Sequence, residues 1–188
     1  HAGDWSTWHS GFETYNDASS GRSHNLNLDS PTALVASGSL WGSSGDGQVD
    51  GKISLGDSQA ANNSSRTYVM YCWKAVTDVS AFGVYPGGWT PTGTTPEVDV
   101  GFIPRFLMVK RLNVSQNWNM YDVFRSGATA HDEEIQPSIW ANEPDVEKAT
   151  TTHRMKIVDS GGTKGFTPAN DDAETTANNA NYIYIAFA

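Results

Sequence analysis

At 188 residues the chain is long enough to bury a sizeable core, as one domain or two small ones. Acidic residues outnumber basic ones by 21 to 12, and the net charge of −9 excludes the positive footprint that nonspecific nucleic-acid binding requires. No apolar run approaches the roughly 18 residues of a membrane span, and the single cysteine, Cys72, excludes an internal disulfide.

Glycine, serine, threonine, asparagine and aromatic residues dominate, a composition that favours short strands and many turns over helices. Residues His1 to Asp4 and their neighbours lack a basic n-region and an apolar h-region, so no signal peptide is expected there. Trp5, Trp8, Phe12 and Tyr15 follow, aromatics suited to a strand or an exposed surface. Leu26-Asn27-Leu28 alternates and stops at Asp29-Ser30-Pro31. Residues 37–51 are Gly/Ser-rich around Leu40-Trp41, which predicts a long loop pinned by one aromatic. Ile53 and Leu55 predict a short strand. Tyr68-Val69-Met70-Tyr71-Cys72-Trp73 predicts a longer one, with Cys72 as a buried, inert thiol. Phe82-Gly83-Val84-Tyr85 predicts another, before a breaker-rich linker from Pro86 to Pro96.

The longest apolar run spans Val98 to Arg111. Phe106 to Val109 is apolar at four consecutive positions, which predicts a central strand covered on both faces. Helix loses to strand because Gly101 and Pro104 interrupt the approach and no 3.6-residue period continues. Pro104 has no N–H for a ladder and belongs at the strand's beginning.

The second half replays the first. Trp5 and Trp8 match Trp118 and Tyr121 at an offset of 113, where Leu26 also falls on Ile139, Pro31 on Pro144 and Ile53 on Phe166. Tyr68-Val69-Met70-Tyr71 returns as Tyr182-Ile183-Tyr184-Ile185 at an offset of 114. An internal duplication is therefore expected, with residues 1–93 as one β unit and 94–188 as the other. The first unit has no counterpart of the Phe102–Arg111 strand. The fold class that follows is all-β: two antiparallel β-sandwich-like (jelly-roll-like) units related by an approximate repeat.

Chemistry is harder to find. His131-Asp132-Glu133-Glu134 has no second cluster at ligand spacing and reads as a solvated acidic turn. Asp46-Gly47-Gln48-Val49-Asp50-Gly51 lacks the alternating oxygens and closing glutamate of a calcium loop, and Asn170-Asp171-Asp172 reads as an exposed acidic loop. No metal or other cofactor is expected. His9, His24 and His153 have serines to pair with but no nucleophile elbow. Nothing singles out two of the 21 acids as a glycosidase pair. No catalytic residue is assigned. The positive signal is aromatic: Trp41, Trp89 and Trp140 lie in loops or beside Pro and Gly breaks, as candidates for glycan or interface contact. Trp5 and Trp8 are candidates for a self-assembly surface.

Three stretches carry a resemblance: Gly101-Phe102-x-Pro104-x-Phe106-Leu107-x-Val109-Lys110-Arg111 with Trp118-x-x-Tyr121-Asp122-x-x-Arg125; Tyr68–Trp73 with Phe82–Tyr85; and the closing Tyr182–Ala188. Together they resemble a β-rich repeat module of structural proteins in tailed bacteriophages, marine ones especially, found within long tail or fibre chains. The resemblance implies a non-enzymatic structural protein of a virion surface, tail or fibre, extracellular and self-assembling. Its implied partners are copies of itself, other virion proteins and a host-surface glycan, with no nucleic acid and no membrane insertion. The rival readings are a carbohydrate-binding module using loop aromatics and a glycan-degrading enzyme.

Overall fold

The structure is a computed structural model and describes residues 5–12, 24–37, 39–41, 48–49, 52–88, 96–126, 134–135, 138–147 and 154–188. In chain order the strands are β1 (Ser6–Thr7), β2 (His24–Asn27), β3 (Val35–Ala36), β4 (Gln48–Val49), β5 (Lys52–Ile53), β6 (Ser80–Pro86) and β7 (Val98–Asp99). There follow β8 (Phe106–Arg111), β9 (Asn119–Asp122), β10 (Glu134–Ile135), β11 (Ile139–Trp140), β12 (Met155–Ser160), β13 (Thr163–Pro168) and β14 (Asn181–Phe187). One helical turn, Val123–Ser126, follows β9. The fold is all-β and sandwich-like, and every pairing among the described strands is antiparallel.

Two sheets face each other. A five-stranded sheet runs in the order β11-β9-β8-β14-β6, and a four-stranded one in the order β10-β12-β13-β7. The period-2 alternation of strands sorts their side chains. Leu107 and Val109 of β8, Tyr121 of β9, Tyr182, Tyr184 and Ala186 of β14 and Tyr85 of β6 point into the space between the sheets. There they meet Val98, Ile135, Met155, Ile157 and Phe166 from the smaller sheet. The intervening residues Met108, Ile183 and Val84 point the other way, into a second core. First-half residues Phe12, Leu26, Leu28 and Leu34 close that core together with Leu112 and Trp118.

The expected central strand is therefore present, in the middle of the larger sheet and beginning at Phe106. Pro104 lies just before it. Of the four apolar positions, Leu107 and Val109 are buried between the sheets, and Phe106 and Met108 are half-buried on the outer face. The smaller sheet is organised by a tight hairpin, β12–β13, whose turn is Gly161-Gly162 with φ of +62° and +94°. Those left-handed values suit glycine and the twist of a two-residue hairpin.

The duplication appears in the hydrogen bonds themselves. Leu28 N donates to Trp5 O at 2.9 Å, and Ala141 N to Trp118 O at 3.0 Å. Trp5 N donates to Asp29 Oδ1 at 3.0 Å, and Trp118 N to Asn142 Oδ1 at 2.8 Å. Gly11 N donates to His9 Nδ1 at 2.9 Å, and Phe124 N to Asp122 Oδ1 at 2.8 Å. The strand pairs Ser6–Asn27 and Thr7–Leu26 recur as Asn119–Trp140 and Met120–Ile139. All of these are displaced by the same 113 residues.

Two expectations need correction where the repeat meets its last strand. Residues 68–73 form no strand and lie exposed, whereas their counterpart Tyr182–Phe187 is β14, held between β8 and β6. The reason is partnership: β8, which flanks β14 on one side, has no counterpart among the described residues of the first half. Cys72, expected to be buried, is exposed for the same reason. β6, on the first side of the expected 93/94 division, pairs with β14 over seven positions from Ser80–Phe187 to Pro86–Asn181.

The contact between halves includes a buried histidine. His9 Nδ1 accepts the Gly11 N–H, so the ring proton sits on Nε2 and is donated to Tyr184 O at 3.1 Å. Burial holds the imidazole neutral and lowers its pKa from 6.5 to about 4, with the Tyr184 carbonyl opposing. A depressed folded-state pKa means the unfolded chain binds the proton more tightly. Stability should therefore be complete above pH 6.5 and fall as pH drops from there towards 4, by roughly 3 kcal/mol from this group. Urea midpoints at pH 7 and pH 4 should differ less for His9→Gln than for the wild type; an equal difference would place the acid sensitivity elsewhere.

Candidate functional site

The expected candidates separate. Trp41 is buried at the Gly/Ser-rich loop and presents no ring to a ligand. Trp140 is half-buried, and its Nε1 donates to Asn119 Oδ1 at 2.9 Å. It belongs to a polar knot in which Asn142 Nδ2 donates to Asn117 Oδ1 at 2.7 Å and Asn117 Nδ2 donates to Glu174 Oε1 at 3.1 Å. Asn119 is fully buried in that knot, so Trp140 acts as a strut fixing the β9–β11 edge. Trp89 lies outside the described residues. Trp8 is half-buried against the outer core. Of the four that are described, Trp5 alone is strongly exposed, at 52%.

What the sequence reading missed is what Trp5 touches. Its ring stacks on Tyr71 with centroids 6.0 Å apart and planes 27° off parallel, and Tyr71 stacks on Trp73 at 6.1 Å and 27°. In an extended chain residues 71 and 73 share a side, so the three rings form one continuous aromatic row. The segment behind them is held at its start. Tyr68 Oη donates to Gln59 O at 2.6 Å and accepts the Asn63 N–H at 3.0 Å. At its other end the Ser80 hydroxyl donates to Lys74 O at 2.8 Å, next to the bridge between Val76 and Ser80. Between those anchors Val69, Met70, Tyr71 and Trp73 are all more than half exposed. An exposed contiguous apolar patch of this kind marks an interaction surface. Its signal in the sequence is an apolar run, a pattern that by itself predicts burial.

The polar candidates offer less. Among the described residues no three His, Cys, Asp or Glu side chains converge as metal ligands. Residues 131–133, His153 and most of the Asp46–Gly51 loop lie outside the described residues. Glu134 pairs with Arg154 at the β10–β12 edge. Asp172 opens a turn, its Oδ1 accepting the Glu174 N–H at 2.7 Å and its carbonyl the Thr176 N–H at 2.8 Å. Lys110 is buried with its Nζ donating to Pro31 O at 3.2 Å and Arg111 O at 3.0 Å, which ties the first half to β8. Burial lowers its pKa to about 8, with nearby Glu174 opposing. Each of these groups has protein partners, and none faces the aromatic row in the contacts described.

The chain belongs to a family of unknown function: a domain of unknown function (DUF7483) matches it over residues 1–188. No curated protein and no solved structure matches it.

Proposed function

We propose that this protein is a non-enzymatic structural subunit, of the virion surface, tail or fibre type its sequence resembles, and that it associates through the Trp5–Tyr71–Trp73 face. The observation that carries the reading is the exposed, strand-competent segment Tyr68–Trp73 with its stacked rings. Burying large aromatics at an interface gives much of the energy of association, because flat rings remove apolar area at small entropic cost. The net charge of −9 also limits nonspecific clumping and leaves a local apolar face to direct contact. Sedimentation velocity across a concentration series should show reversible association, burying on the order of 1,000 Å² or more in each contact. Tyr71→Ser and Trp73→Ser should each return the protein towards monomer without lowering its melting temperature. A wild-type chain that stays monomeric at high concentration would overturn the reading.

One observation favours a second reading. Three rings in a row also suit stacking on successive sugar units, the host-glycan contact of an attachment protein. Glycan-array binding that is lost in Trp73→Ala, with association unchanged, would select it.

A further inference from the structure

The register of the repeat says more than that the face is sticky. In the second half β8 stands between β9 and β14, pairing Met108 with Met120 on one side and Val109 with Tyr184 on the other. The first half holds the counterpart of β9, which is β1, and the counterpart of β14, which is Tyr68–Trp73. No described strand stands between them, and the rings of Trp5 and Tyr71 meet directly. Residues 69–73 make no backbone hydrogen bond to any described residue. Among the described residues that leaves a row of donors and acceptors without backbone partners beside large apolar side chains, an edge that sheet-forming proteins cover with another strand.

We infer that the first half carries an acceptor site for one β-strand, between Ser6–Trp8 and Tyr68–Trp73. Its occupant is an antiparallel strand of the Phe106–Arg111 pattern presented by another unit of the same repeat. The inference rests on the assembly reading and deepens it by naming the partner's chemistry: an extended strand, apolar on both faces, cationic at its C-terminal end. Strand addition supplies affinity through main-chain bonds and selectivity through alternate side chains. The second half fixes the register. Shifted by the repeat offsets, Met70 falls opposite the residue in the position of Val109, and Thr7 opposite the one in the position of Met108. One step beyond that ladder, Lys74 falls opposite the position of Arg105, two like charges.

The probe is a labelled peptide of this chain's own residues Phe102–Asn113, added to the intact protein. Saturable binding is expected, with new amide protection confined to residues 6–8 and 68–73. In β14 the residues 181 and 183 turn their backbone groups towards β8, as Leu112 N donating to Asn181 O shows, whereas 180 and 188 bond on the β6 side. Val69, the counterpart of Ile183, therefore faces the acceptor site. Val69→Pro removes a donor there in a segment that makes no ladder within the fold, so the variant keeps its melting temperature and loses about tenfold or more in affinity. The peptide with Arg105→Glu should bind more tightly, because Lys74 then meets a carboxylate. Equal binding of a scrambled peptide would reduce the site to an unspecific aromatic surface and overturn the proposal. So would protection appearing on 106–111 and 181–187, which signals exchange into the existing sheet, or no binding up to the peptide's solubility. Sedimentation of the chain without peptide tests the assembly reading separately, so association with no peptide binding would remove this inference alone.

Discussion

Trp118→Ala is expected to destabilise the protein by about 3–5 kcal/mol, the range for deleting a large buried aromatic, and to lower the melting temperature by on the order of 10 °C. Trp118 is 1% exposed and sits at the centre of the outer core, against Phe12, Leu26, Leu112 and Ile183. Its Nε1 donates to Asn27 O at 2.9 Å, so the same side chain supplies packing and a partner for a first-half carbonyl. Removing it opens a cavity between the first half and the five-stranded sheet. The loss should be local before it is global: amides of residues 24–36 should exchange faster, while those of β12 and β13 keep their protection. Trp118→Phe retains most of the apolar area and should cost less, losing mainly one hydrogen bond at about 0.5–1.5 kcal/mol, since Asn27 O still accepts the Ser30 N–H at 3.2 Å. Near-equal stability of Trp118→Ala and wild type would mean the first half is not held by this core.

The comparison of Trp118 with Trp5 shows what the sequence could carry and what it could not. The two tryptophans make the same backbone hydrogen bonds at an offset of 113, and the repeat was legible from five landmarks. Their side chains end in opposite environments, 1% and 52% exposed, because only Trp118 has another half lying over it. Tyr68–Trp73 and Tyr182–Phe187 differ in the same way. Their apolar patterns are alike, and local pattern reports only fitness for a pleated, half-buried surface. Whether a strand forms depends on a partner that neither segment encodes. By contrast β8 was legible, since its four apolar residues demand cover on both sides and the chain supplies it. The β12–β13 hairpin was overlooked although its signal is strong: alternation in Met155–Val158, then Gly161-Gly162, then Phe166. The polar knot around Asn119 had no signal, since asparagines that join a network and asparagines that face water look identical in a sequence.

Phe166→Ala should cost a similar 3–5 kcal/mol by emptying the other core, between the two sheets. Phe166 has no exposed surface and meets Tyr85 and Tyr184 edge-on, with centroids 5.7 and 5.3 Å away and planes at 82° and 72°. Those geometries place the electropositive edge of one ring against the face of another, adding about 0.5–1.5 kcal/mol per pair to area burial. Tyr85 is also stacked on Tyr182 at 5.0 Å, so the deletion leaves a three-tyrosine cluster short of its fourth member. Phe166→Leu should recover part of the loss, by refilling volume without the edge contacts. The decisive measurement is the double variant with Trp118→Ala. The two residues lie in separate cores on opposite faces of one sheet, with no shared partner side chain in either cluster. Their costs should add to within about 0.5 kcal/mol. A double variant much more stable than that sum would mean that β14, whose alternate residues line both cores, transmits collapse from one face to the other.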